Sequence, residues 1–133
     1  MGYREIKVNT QSHSQMIDIT GQVRDIVSES GILSGVCYIY IPHTTAGITI
    51  NENADPDVVS DIIYETGKMV PWDDSYRHME GNSAAHLKAS MMGFSQAVFV
   101  DKGKLVLGTW QGIFLCEYDG PRHRKVLVKI IEG

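Results

Sequence analysis

Between Arg77 and His86 the chain holds two of its five histidines, a carboxylate and a helix-opening asparagine. In extended backbone His78 and Glu80 project to one side, because strand side chains repeat every second residue. Asn82 is suited to accept from the free amides of a helix that Ser83, Ala84 and Ala85 open. His86 then falls at the end of the first turn. Two imidazoles and a carboxylate converge in this way near amides that favour negative charge. A divalent metal, a phosphate, or both would fit there. The spacing is not the strict His-Glu-x-x-His signature. On a helical wheel His86 shares a polar stripe with Ser83 and Ser90, opposite Ala84, Leu87 and Met91, which also suits a solvated side chain.

Three further constellations bear chemistry. Cys37, Ile39 and Ile41 form the more apolar face of a strand, and His43 continues their parity. Thr44 and Thr45 follow it with hydroxyls and amides that can hold an anionic oxygen. A core histidine bonded to a carbonyl is the competing reading. Asn51 and Glu52, at the end of the next strand, are candidates for orienting a histidine or moving a proton, against the alternative of a solvated loop. Trp110 and Gln111, between Gly108 and Gly112, offer a flat apolar surface beside an amide, suited to stacking a small heterocycle or to capping the core. Glu117 and Asp119 share a parity and lead into Arg122. That pattern serves either an internal Arg–carboxylate pair or a phosphate clamp.

Other chemistries lack their signatures. Gly93-Phe94-Ser95-Gln96-Ala97 misses the closing glycine of a nucleophile elbow and would run from helix to strand. Gly103-Lys104-Leu105 has no Ser or Thr after its lysine, and there is no Gly-x-Gly-x-x-Gly run. A net charge of −4 without a basic run argues against nucleic acid. The densest basic cluster, Arg122-His123-Arg124-Lys125, passes at once into valine and reads as a solvated strand entrance. No apolar run is long enough for a membrane span, and no signal-peptide core is visible. Cys37 and Cys116 sit apart in apolar runs, which predicts buried structural thiols in a reducing, cytoplasmic setting.

The elements that must position these residues follow from pattern. The 133 residues form one domain, 1–133, with a single core. Residues 3–9 and 15–19 alternate as strands. Thr20 is placed to cap a helix whose Val23, Ile26 and Val27 face inward, with Gly31 ending it. Strands over 36–41 and 47–51 follow. Asp55-Pro56-Asp57 is a strong helix start: Asp55 caps, Pro56 presets the first turn and Asp57 favours the positive dipole end. Val58, Val59, Ile62, Ile63 and Met69 keep helical spacing until Gly67 and Pro71. A third helix spans Ser83–Met92, and strands are expected over 96–100, 104–107, 112–118 and 125–131. Many strands, three short helices and no βαβ alternation indicate α+β with a mostly antiparallel sheet or sandwich.

Together, His43-Thr44-Thr45, Asn51-Glu52, His78-x-Glu80-Gly81-Asn82 with His86, Gly108-Thr109-Trp110-Gln111 and Asp119-Gly120-Pro121-Arg122 resemble the YjbQ family over nearly the whole chain. The resemblance implies a distorted β-sandwich carrying short helices, a homotrimer, and a secondary, weak thiamine-phosphate synthase activity. That reaction joins a pyrimidine methyl diphosphate to a thiazole phosphate and expels pyrophosphate. His43, His78 and His86 would hold a divalent metal, and three neutral imidazoles leave a position open for substrate oxygen. Such a set suits zinc better than magnesium, which favours carboxylates. Glu80, Glu52 and Asn51 would serve in catalysis. Thr44, Thr45, Asn82, Ser83 and Arg122 would hold phosphate, with Trp110 and Gln111 against a ring. The alternatives are a zinc-dependent hydrolase of a small phosphorylated or amide metabolite, with Glu80 or Glu52 as base, and a non-catalytic binder of a small anionic ligand. The expected partner is a small phosphorylated metabolite, with neither nucleic acid nor membrane.

Overall fold

The computed structural model describes residues 2–133. In chain order the elements are β1 (Arg4–Asn9), β2 (Gln15–Asp18), α1 (Thr20–Ser30), β3 (Ser34–Tyr40), β4 (Ala46–Glu52), α2 (Pro56–Met69), α3 (Ser83–Met92), β5 (Ser95–Asp101), β6 (Lys104–Leu105), β7 (Gln111–Glu117) and β8 (His123–Glu132). The strands form two sheets, β1-β8-β3-β5-β6 and β2-β7-β4, and their pairings are antiparallel. The α+β class expected from the pattern is therefore the one observed.

Burial explains the layering. Ile39, Ile48, Ile113, Leu115, Val126 and Val128 fill the space between the sheets, closed on one side by Val23 and Val27 of α1. The other face of the small sheet presents Met16, Phe114, Cys116 and Tyr118 to α2 and α3. β7 is thus covered on both faces, which is why its apolar run is continuous rather than alternating. Both cysteines are free and buried, and burial pushes their thiols up, to about 11 for Cys37 and about 12 for Cys116. They remain protonated and inert, as expected of structural thiols.

Helix starts are set by local chemistry, and at α1 the cap differs from expectation. The Asp55 carboxylate accepts the Asp57 amide at 2.9 Å and Pro56 occupies the first turn of α2, as read. At α1 Thr20 is already helical, and Asp18 accepts its amide instead. The Thr20 hydroxyl is used elsewhere: it accepts the Ile113 amide at 2.8 Å and ties α1 to β7.

α3 buries Ala84, Ala85, Lys88 and Ala89, while Leu87, expected on the apolar side, is 46% exposed. The cause is how closely α3 lies on β4. A Cβ on Gly47 would stand 2.7 Å from the Gly93 carbonyl oxygen and 3.1 Å from that of Ala89. Only small side chains fit between backbones at that separation. The Ile48 amide donates to the Gly93 carbonyl at 3.0 Å and locks the strand to the end of the helix.

The outer face of the five-stranded sheet is uncovered by any described element. Phe99 stands beside Val36 and is 71% exposed, and Tyr38, Tyr40 and Ile131 are exposed on the same sheet. Among the described residues no helix is long and apolar enough to cross a membrane.

Candidate functional site

The β4–β7 ladder ends where Ala46 pairs with Glu117. Around that end three connections meet: Pro42–Thr45 before β4, the segment His78–Asn82 before α3, and the turn Asp119–Arg122 before β8. They enclose a polar cavity of about 480 Å³. His43, Thr44 and Thr45 line one part of it, and His78, Glu80, Asn82 and His86 another. Asp119, Arg122 and Arg124 complete the wall.

A buried ion pair underlies the site. Glu117 and Arg124 are both buried, and two guanidinium nitrogens bond the two carboxylate oxygens, Nε at 2.8 Å and Nη2 to Oε2. The amides of Tyr118 and Asp119 each donate to Oε2 at 3.0 Å, and the Thr10 hydroxyl donates to Oε1 at 2.7 Å. Burial alone would raise the Glu117 carboxyl, but Arg124, the Asp119 amide and Thr10 outweigh it and hold its pKa below the ordinary range. Arg124 also donates to the Thr45 hydroxyl at 2.8 Å, so the pair fixes the loop that follows His43. The basic cluster at 122–125 is therefore not a uniformly solvated entrance. It alternates on β8, and Arg124 points inward. The turn is held down by Gly120, where a Cβ would lie 2.2 Å from the Ser12 carbonyl oxygen.

The histidines differ in what their nitrogens do. The backbone N–H of Lys125 donates to His43 Nε2 at 2.9 Å. His43 is accordingly neutral, with its proton on Nδ1, and its pKa is lowered first by burial and then by the charge of Arg124. His78 and His86 face each other edge to plane, with ring centroids 5.4 Å apart. Glu80 lies 3.9 Å from His78 with a side chain 73% exposed. Among the described residues no three His, Cys, Asp or Glu side chains come close enough to share an ion. The expected three-histidine ligand set is not assembled, because His43 Nε2 is committed to Lys125. His78 and His86 are left as adjacent imidazoles on the wall, while His43 turns its Nε2 to the backbone.

Asn82 lies at the start of α3 but does not cap it with its side chain. Its Nδ2 donates to Asp119 Oδ2 at 2.9 Å, and Arg122 Nη2 donates to the same oxygen at 3.0 Å. The bond from Nδ2 to Asp119 fixes the side chain in an orientation in which Oδ1 caps no first-turn amide. Ser83 is the first residue of α3, beside the cavity but outside its lining.

Four candidates lie elsewhere. Asn51, Glu52 and Gln111 stand at the opposite end of the β4–β7 ladder, where Glu52 pairs with Gln111. Six strand steps separate the ends, about 20 Å at the usual rise. Asn51 turns its carbonyl oxygen onto the Glu52 amide, and Gln111 bonds the Gly108 amide at 2.8 Å. Trp110 is next to them and 62% exposed. Parity along each strand gave no information about which end of the ladder a residue occupies. Arg124 and Asp119 are cavity residues that pattern reading did not place there. The alternation Arg122, Arg124 opposite Glu117, Asp119 was the available signal.

Fold and site together define an α+β protein of two antiparallel sheets with a polar, histidine- and arginine-walled cavity at one end of the smaller sheet. The chain belongs to the YjbQ family, described as UPF0047 protein YjbQ-like, whose sequence model matches residues 4–133. It is 52% identical to the UPF0047 protein YugU of Bacillus subtilis, covering 96% of this chain and 98% of that protein. A UPF0047 protein of Methanocaldococcus jannaschii is 50% identical, over 94% of this chain and 91% of that one. The crystal structure of an uncharacterized YjbQ/UPF0047 protein from Clostridium acetobutylicum superposes with a TM-score of 0.95 at 55% identity, covering 96% and 99% of the two chains. A protein of unknown function from Sulfolobus solfataricus gives 0.95 at 39% identity, covering 98% and 96%.

Proposed function

We propose that the cavity binds a small phosphorylated metabolite and that the chain has a weak thiamine-phosphate synthase activity. The observation that carries this is the gathering of anion donors on one wall system: Arg122, Thr44, Thr45 and the start of α3, which no side chain caps. A volume of about 480 Å³ suits a small ligand. In the reaction the methylene–oxygen bond of the pyrimidine diphosphate breaks, pyrophosphate leaves with the electron pair, and the thiazole nitrogen forms the new bond. Arg122 and the α3 amides would neutralise charge growing on the leaving group, and neutral His43 would donate from Nδ1. Incubating purified protein with both substrates should form thiamine phosphate slowly, and Arg122→Ala should abolish the product. Product no faster than in protein-free buffer would overturn the reading.

A second reading is zinc-dependent hydrolysis of a small phosphorylated or amide metabolite, favoured by the adjacency of His78 and His86. Those two residues would hold the ion, and Glu80, beside His78, would move the proton. Bound zinc would supply an acidified water. Stoichiometric zinc in untagged protein supports this reading, and its absence supports the first or a purely binding role.

We further propose a homotrimer. The exposed aromatic face at Tyr38, Tyr40 and Phe99 supports burial by another copy. Contacts in a cyclic ring are head-to-tail, so unlike ends of neighbouring subunits can meet. That arrangement supports Trp110 and Gln111 as ring-contacting residues for an adjacent subunit's cavity. The buried, protonated thiols support a reducing cytoplasmic setting.

A further inference from the structure

The cavity wall that gathers anion donors also carries two acceptors left unused by the protein. The Asp119 side chain is 14% exposed, and both of its side-chain bonds fall on Oδ2. Among the described residues nothing donates to Oδ1. Next to it, Asn82 is more than nine-tenths buried, and its Oδ1 has no hydrogen-bond partner. The orientation of that amide is settled by its neighbour: turning it over would set oxygen against the Asp119 carboxylate. Arg122 grips Asp119 a second time, donating from Nε to its backbone carbonyl at 2.8 Å. The carboxylate is therefore held from two sides, whereas Glu80 is mostly in solvent.

A buried acceptor without a donor costs about 1–3 kcal/mol, so folded proteins keep few of them. Asn82 Oδ1 is such an atom, and Asp119 Oδ1 beside it stands on the cavity wall without a donor, so the two match a ligand that brings N–H groups. We infer that the ligand bears an amino or protonated ring-nitrogen donor as well as its anionic group, and that Asp119, positioned by Asn82 and Arg122, is the acceptor that recognises it. The anionic half of this inference rests on the phosphorylated-ligand reading; the donor half rests on Asp119 and Asn82 alone. Sites built to hydrogen-bond a ligand discriminate strongly against analogues lacking the group, because their own polar atoms are then left unpaired.

The test compares two probes of equal charge on the phosphate side, O-phosphoethanolamine and ethyl phosphate, by titration calorimetry. The wild-type chain should bind the aminated probe at least about tenfold more tightly, the ratio given by one charge-assisted bond. Asp119→Asn should bring the ratio close to one, and Asp119→Ala serves in its place if circular dichroism shows the first variant unfolded. Arg122→Ala should weaken both probes. A wild-type ratio near one, or a preference that survives both Asp119 variants, would overturn the inference. If neither phosphate binds the wild type, the phosphate reading fails separately. 4-Aminopyrimidine then decides: binding that Asp119→Asn removes supports the acceptor role, and any other result ends it.

Discussion

His43 gives its Nε2 lone pair to the backbone N–H of Lys125 at 2.9 Å. The bond joins the β3–β4 connection to the start of β8 and decides the tautomer of the imidazole. Protonating Nε2 would break it beside the Arg124 guanidinium. His43 should therefore titrate below the ordinary value of 6.5, with burial the larger cause and Arg124 the next. Because the folded value is depressed, the associated stability is present above pH 6.5 and is lost as pH falls through the folded value. Two-dimensional imidazole NMR should show the Nδ1–H form at neutral pH; an Nε2–H tautomer would refute the assignment.

Zinc content separates the histidines. His86→Ala should lower bound zinc and activity together if an ion occupies the pair with His78. His43→Asn should leave zinc near the wild-type level, since its nitrogen is engaged elsewhere. Elemental analysis of untagged protein checks this, and an equal loss in both variants would restore the three-histidine site.

Glu80→Gln keeps shape but removes a base, so turnover should fall by about a hundred- to ten-thousand-fold if Glu80 moves the proton. Glu52→Gln should have no such effect, because Glu52 lies at the far end of the ladder. Melting should barely move in either, or in Leu87→Ala, whose side chain is half in solvent. Leu115→Ala, fully buried, should cost about 2–5 kcal/mol. Full turnover by Glu80→Gln would remove it from the mechanism.

Glu117→Gln leaves Arg124 buried and uncompensated, and should destabilise the fold by about 3–5 kcal/mol. The pair also sets an acid limit. Glu117 has a folded pKa below its ordinary 4.5, so its contribution is complete above that value and disappears as pH falls through the folded one. Denaturant unfolding between neutral pH and pH 3 should lose stability more steeply in the wild type than in Glu117→Gln. Parallel slopes would show that other carboxylates govern acid unfolding.

Sedimentation at micromolar concentration should give three times the chain mass. Phe99→Lys places a charge on the exposed face and should shift the protein toward smaller species without lowering its secondary structure. A wild-type monomer mass would dispose of the trimer.

How much of this was readable in advance depended on the range of the signal. The start of α2 at Asp55-Pro56-Asp57 and the span Ser83–Met92 depend on neighbours within a few residues, and both are where pattern places them. His43, His78, Glu80 and His86 reach one cavity because loop ends at the same edge of a sheet are brought together by pairing. Trp110 and Glu52 illustrate the limit: alternation reports which face a residue takes, not how far along the ladder it sits. The inward turn of Arg124 was hidden for the opposite reason. Its partner Glu117 is seven residues away across a turn, and a charged side chain is read as solvated unless that partner is known.

At Gly47 only a hydrogen atom separates β4 from the backbone of α3. The helix bearing His86 and Asn82 therefore rests on its strand backbone to backbone, with no compressible side chain between them. The spacing of α3 from β4 is a gauge set by one missing methyl group rather than by the residues that line the cavity. Enlarging residue 47 would lift the helix as a unit and open the site to bulkier molecules while every contacting side chain stayed the same. Size selection and chemical selection can in that case be altered independently, by changes at separate addresses in the chain.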